Sequence, residues 1–160
     1  MIEKKSTTLD LDEVDLKILR LLQEDAKMTT KELASQLHLT TTPVHERIKK
    51  LERSGLIRKY VALLNRDRLG KKLLAYCSVS LKLHAKPLLI TFEQQIQELP
   101  EVMACYHIAG GFDYLLRVNV EDMEAYHRFI THKLAILENI SNVQSSFVMK
   151  EIKESHQIWI

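Results

Sequence analysis

Thr41, Thr42, His45, Arg47, Lys49, Lys50 and Arg53 crowd one short stretch of the chain, with Arg58 and Lys59 just beyond it. Hydroxyls and cations presented together from a helix can reach base edges and phosphates in a DNA major groove. In the same stretch Val44, Ile48 and Leu51 recur at i, i+4 and i+7, which gives one apolar seam. Thr42, Lys49 and Arg53 fall opposite that seam, flanked by His45 and Lys50. Between Thr41 and Arg68 eight cations stand against three anions, a local charge of +5 on a chain whose formal net charge is +2. A basic stripe on a nearly neutral chain predicts phosphate contacts from one face. A second group is Ile108-Ala109-Gly110-Gly111-Phe112-Asp113-Tyr114. Backbone N–H groups left free at a glycine turn can hold a carboxylate, while Asp113 or a carbonyl takes an ammonium. The glycines alone equally describe a plain hairpin turn with Asp113 as a local cap.

Other chemistry has little support. The histidines are scattered; His127 and His132 stand five apart on a helix and cannot share a metal without distortion. His107, just before the glycine turn, reads as a satisfied strand residue. There is no nucleophile elbow, P-loop or paired-carboxylate motif, so no enzyme, metal or resident cofactor is expected. Cys77 and Cys105 sit in separate apolar segments and are expected as buried, reduced thiols of a cytoplasmic protein. No apolar run is long enough to span a membrane and no secretory signal opens the chain.

The elements that must hold these residues are marked by their start signals. Asp12 caps a first helix with Val14, Ile18, Leu21 and Leu22 on one side. Thr29 and Glu32 form a capping box for a second, with Leu33, Ala34 and Leu37 inward. Thr40 caps the third, Pro43 fits its first turn, and Gly55 follows its end. Leu56–Leu64 is β-rich and predicts a small wing. Met1–Thr8 reads as a polar arm, and 65–72, with Gly70, as a linker.

The second half changes period. Odd positions from Leu73 to Leu83 are apolar, predicting a half-buried strand. Pro87–Leu99 reads as a helix, Val102–Ile108 and Phe112–Val120 as a hairpin, a helix follows the cap Asp122, and Asn142–Ile152 is a last strand. The order β-α-β-β-α-β predicts a ferredoxin-like sandwich. The whole is α+β: a winged helix-turn-helix domain at 9–64, the linker, a sandwich domain at 73–153, and a tail at 154–160.

In this order and spacing three stretches carry a resemblance: Leu11–Leu19, Thr41–Ile57, and Gly110-Gly111-Phe112-Asp113-Tyr114-Leu115-Leu116. The chain resembles the Lrp/AsnC family, the leucine-responsive or feast/famine regulators, from Leu11 to about Lys153. The resemblance implies a transcription regulator that binds double-stranded DNA, forms homodimers and often octamers, and senses a small molecule, commonly an amino acid. It favours the carboxylate-and-ammonium reading of the glycine turn, with Ile108, Ala109, Gly110, Gly111, Asp113, Tyr114 and Ser145 as effector residues. Apolar neighbours such as Val148 and Met149 suggest an effector of the leucine or methionine type. The chain departs from the family at Gly111, where relatives often carry an acidic side chain, at Val143, where small hydroxyl residues are usual, and at His45, which replaces an apolar residue. Two other readings stand beside this one: an architectural DNA-compacting protein without effector, and a small-molecule module whose DNA domain is inactive.

Overall fold

The computed structural model describes residues 10–160; the expected polar arm, Met1–Thr8, lies outside them. The chain folds as two units, one holding the residues up to Leu63 together with Lys153–Ile160, the other Leu64–Ile152.

The first unit is three helices, α1 (Glu13–Glu24), α2 (Thr30–Leu37) and α3 (Thr41–Arg53). Asp12 begins α1 by accepting from the N–H groups of Val14 and Asp15. Thr29 begins α2 with a complete capping box: its hydroxyl accepts from Glu32 N–H at 3.2 Å, and the Glu32 carboxylate takes Thr29 N–H at 2.6 Å. The Thr29 N–H and, at 2.7 Å, its hydroxyl both donate to the ionised carboxylate and hold Glu32 below the ordinary glutamate range. Thr29→Ala is expected to cost about 1 kcal/mol, the usual worth of such a cap; a denaturation midpoint equal to the parent's would contradict it. Thr40 precedes α3 as expected, but its side chain makes no capping bond. Gly55, at φ 76°, ends the helix in the left-handed region. Ile18, Leu33, Ala34, Val44, Ile48 and Leu51 close the core.

One expectation fails in this unit. Leu56–Leu64 contains no strand. A wing needs a partner strand, and none exists in this unit among the described residues; Tyr60 instead donates its hydroxyl to Glu52 at 3.1 Å. The tail, Lys153–Ile160, is bonded to α1. Gln23 clamps Ile158 on both backbone groups, accepting its N–H at 2.6 Å and donating to its carbonyl at 3.1 Å, and Arg20 Nε donates to the Ile160 carbonyl at 2.7 Å.

The second unit is β1 (Leu73–Leu81), α4 (Lys86–Gln97), β2 (Val102–His107), β3 (Tyr114–Val120), α5 (Met123–Phe129) with a π-helical turn at Ile130–Leu134, and β4 (Ile140–Phe147). The four strands form one sheet in the order β2-β3-β1-β4, antiparallel throughout, the ferredoxin-like arrangement. Cys77, Val79, Leu116 and Val118 meet Phe92, Ile96, Tyr126 and Phe129 in one core on the helix side. Leu83, expected inside, is exposed, because β1 ends at Leu81. The last strand also starts and stops earlier than its composition suggests, so Met149 is fully exposed. Cys77 is buried; Cys105, against expectation, is exposed. The linker is folded: Leu69, Gly70 and Lys71 donate backwards to Asn65, Arg66 and Asp67.

Candidate DNA interface and effector site

On α3 the apolar seam is buried and Thr41, Thr42, His45, Lys49, Lys50 and Arg53 are exposed. Arg58 and Lys59 are exposed beyond it. Among the described residues Arg53, Arg58 and Lys59 take part in no ion pair, whereas Lys49 is partnered by Glu52 at 2.9 Å. Arg47 is a correction. It is turned toward α1, where Nη1 bridges Asp12 Oδ2 at 2.6 Å and Asp15 Oδ1 at 2.7 Å. Asp15 is 1% exposed, and Lys50 approaches its other oxygen at 3.6 Å. Arg47 therefore neutralises a buried carboxylate and docks α3 on α1, rather than extending the basic face. The i, i+1 neighbours of a buried seam residue can tilt to either side, so the sequence pattern does not assign Arg47 a direction.

At the other site β2 and β3 are joined through Ile108–Asp113. The turn is closed by Ile108 N–H to the Asp113 carbonyl at 2.8 Å, and Asp113 N–H reaches Val79 carbonyl on β1 at 2.9 Å. Among the described residues the N–H groups of Ala109, Gly110, Gly111 and Phe112 donate to no protein acceptor. Gly110, at φ 146°, adopts a backbone that other residues rarely take. Gly111 does not; a side chain there would meet nothing within 4 Å. Its glycine thus removes a side chain rather than reshaping the turn.

Asp113 is tied in on both oxygens. Oδ2 accepts Leu81 N–H at 2.7 Å, and Oδ1 meets His84 Nε2 at 2.8 Å. The Leu81 bond first, and His84 second, hold this carboxyl below the ordinary aspartate range. Tyr114 is buried and donates its hydroxyl to Glu93 at 2.9 Å, with His107 stacked on its ring. That places Tyr114 in the core beneath the turn, and burial raises its phenol above the ordinary range. Ser145 is not brought to the turn within the protomer. It pairs with Cys77 and accepts the Tyr126 hydroxyl at 2.5 Å. Sequence reasoning missed His84 as the group that meets Asp113; nothing in the spacing of 84 and 113 signals it.

A profile described as the Lrp/AsnC ligand binding domain matches residues 74–158, and one described as winged helix-turn-helix DNA-binding matches residues 11–58. The leucine-responsive regulatory protein of Klebsiella pneumoniae is 36% identical over 157 residues, 98% of this chain and 96% of its own length. The Bkd operon transcriptional regulator of Pseudomonas aeruginosa is 36% identical over 143 residues, 89% of this chain and 94% of its own. A transcriptional regulator of Neisseria meningitidis, solved as a complex with L-Met, superposes with a TM-score of 0.89 at 36% identity, covering 92% of this chain and 96% of that one. With a DNA-binding helix-turn-helix unit, a ligand-binding sandwich unit and relatives along nearly its whole length, the chain belongs to the Lrp/AsnC family of transcription regulators.

Proposed function

We propose that this regulator binds DNA as a homodimer, in the cytoplasm, and is modulated by a free amino acid of the leucine or methionine type. The observation that carries the effector half is the run of N–H groups at Ala109–Phe112, which have no acceptor among the described residues, beside the Asp113 carboxylate. Such a nest suits a carboxylate, and a carboxylate side chain suits an ammonium. The relative solved with L-Met supports the effector class. The dimer has a physical motive. Tyr106, Leu115, Ser78 and Gln144 align across the sheet on the side away from the helices, and Tyr106 is 55% exposed. A second copy would cover that face and supply two recognition helices for paired half-sites. Octamers built from four such dimers are the larger assembly that the family resemblance implies. A second subunit would also be the source of a hydroxyl near the turn, which Ser145 of the same protomer does not provide.

The DNA half is tested by gel shifts at several salt concentrations. Arg53→Ala or Lys59→Ala is expected to weaken binding to every sequence and lower the salt slope by about one for each phosphate no longer neutralised. Lys49→Ala is expected to do less, because Glu52 already offsets its charge. Thr42→Ala and His45→Ala are expected to relax sequence preference instead. Unchanged affinity in Arg53→Ala, Lys59→Ala, Thr42→Ala and His45→Ala alike would defeat this assignment.

A further inference from the structure

His84 lies between β1 and α4, 60% exposed, with its Nε2 on Asp113 Oδ1. An ionised carboxylate only accepts hydrogen bonds, so Nε2 carries the hydrogen. The imidazole N–H therefore occupies an acceptor position of the carboxylate that an ammonium bound to Asp113 would need.

Asp113 itself cannot swing to offer another position. Its N–H is on Val79, its carbonyl takes Ile108 N–H, and Oδ2 takes Leu81 N–H, so three bonds fix it to the sheet. The backbone beside His84 is fixed as well: Leu83 bonds Asn139 Oδ1 at 3.1 Å and Asn139 Nδ2 at 2.8 Å, and Lys82 N–H reaches Asn139 carbonyl at 2.8 Å. What can move is the exposed imidazole, by rotation about its own χ angles. Breaking a hydrogen bond between exposed groups costs little, because water replaces it.

We propose that His84 is a built-in occupant of the ammonium position at Asp113, displaced when an amino acid binds, and so sets the affinity of the effector site. The inference rests on the assignment of the effector to this turn. It makes His84 a specificity residue: only a ligand with a donor strong enough to replace the imidazole gains the site.

Isothermal titration of the full-length protein with L-leucine and L-methionine tests it, using N-acetyl-L-methionine, which lacks the ammonium, as a comparison. His84→Ala is expected to bind the responding amino acid about three- to fivefold more tightly, the size of one largely exposed charged pair that no longer has to be displaced. His84→Gln, which keeps an N–H donor within reach of Oδ1, is expected to stay near the parent. The acetylated probe is expected to gain nothing. If the parent binds an amino acid and His84→Ala binds it no more tightly, the occupant role is overturned while the effector site stands. An equal gain for the acetylated probe overturns it too, since His84 would then only fill space. If neither amino acid binds the parent or His84→Ala, the effector assignment falls and the occupant role with it. A ligand-free melting curve of each variant separates these results from misfolding.

Discussion

Arg47→Ala is expected to destabilise the helix-turn-helix unit strongly rather than merely to remove one contact with DNA. The Asp15 carboxylate is 1% exposed, and Arg47 Nη1, at 2.7 Å, donates the hydrogen bond that compensates it. Asp15 Oδ2 has no hydrogen-bond partner of its own, only Lys50 at 3.6 Å. Removing one member of a buried pair leaves a desolvated charge, which costs about 3–5 kcal/mol. The lower end applies, because Arg47 is itself 31% exposed and Lys50 remains. For a unit of this size even about 3 kcal/mol is a large part of its stability. Circular dichroism should show the helical transition at a much lower denaturant concentration, while the salt slope of DNA binding stays that of the parent. The opposite reading, in which Arg47 touches a phosphate, gives a different result: an unchanged midpoint and a salt slope lower by about one. That outcome would sink the structural role. Replacing both partners with apolar residues, Asp15→Leu with Arg47→Met, should recover most of the lost stability, since no buried charge is then left alone.

Arg47 also marks how far the fold is legible in the sequence. Helix starts are readable because a cap is a local bond: Asp12 and Thr29 act on N–H groups two or three residues away. The sheet order follows from alternating burial in β1 and β3 and from the glycine turn. Pairings across long separations leave no such trace. Arg47 with Asp15, His84 with Asp113, Tyr126 with Ser145, and Gln23 with Ile158 each join residues whose neighbours in sequence do not announce the pairing. The wing fails for a related reason. β-branched and aromatic residues favour an extended backbone, but a strand exists only with a partner to bond, and β propensity does not specify one. The π-helical turn at Ile130–Leu134 puts the buried Phe129 and Leu134 five residues apart, a spacing that the ordinary helical period does not predict.

Asp113 joins these two levels, and its substitution yields the second large effect. A leucine- or methionine-type amino acid present at 100 times its dissociation constant is expected to stabilise the protein by about 2.7 kcal/mol. For a domain of this size that is a rise in melting temperature on the order of 10 °C. Asp113→Ala should abolish the rise, but it also strips Leu81 N–H of its acceptor, so the ligand-free protein should melt lower as well. Asp113→Asn separates the two. Its amide oxygen can still accept from Leu81, preserving the strand end, while the charge that would hold an ammonium is gone. Asp113→Asn is therefore expected to melt near the parent without ligand and to show little or no rise with it. DNA binding by the unliganded protein should be intact, because Thr42, Arg53 and Lys59 belong to the other folding unit. A rise in Asp113→Asn equal to the parent's would remove the carboxylate from the effector site. If none of the amino acids moves the parent's melting temperature, the free N–H groups at Ala109–Phe112 have no amino-acid ligand, and a DNA-compacting role without effector becomes the better account of the same two units.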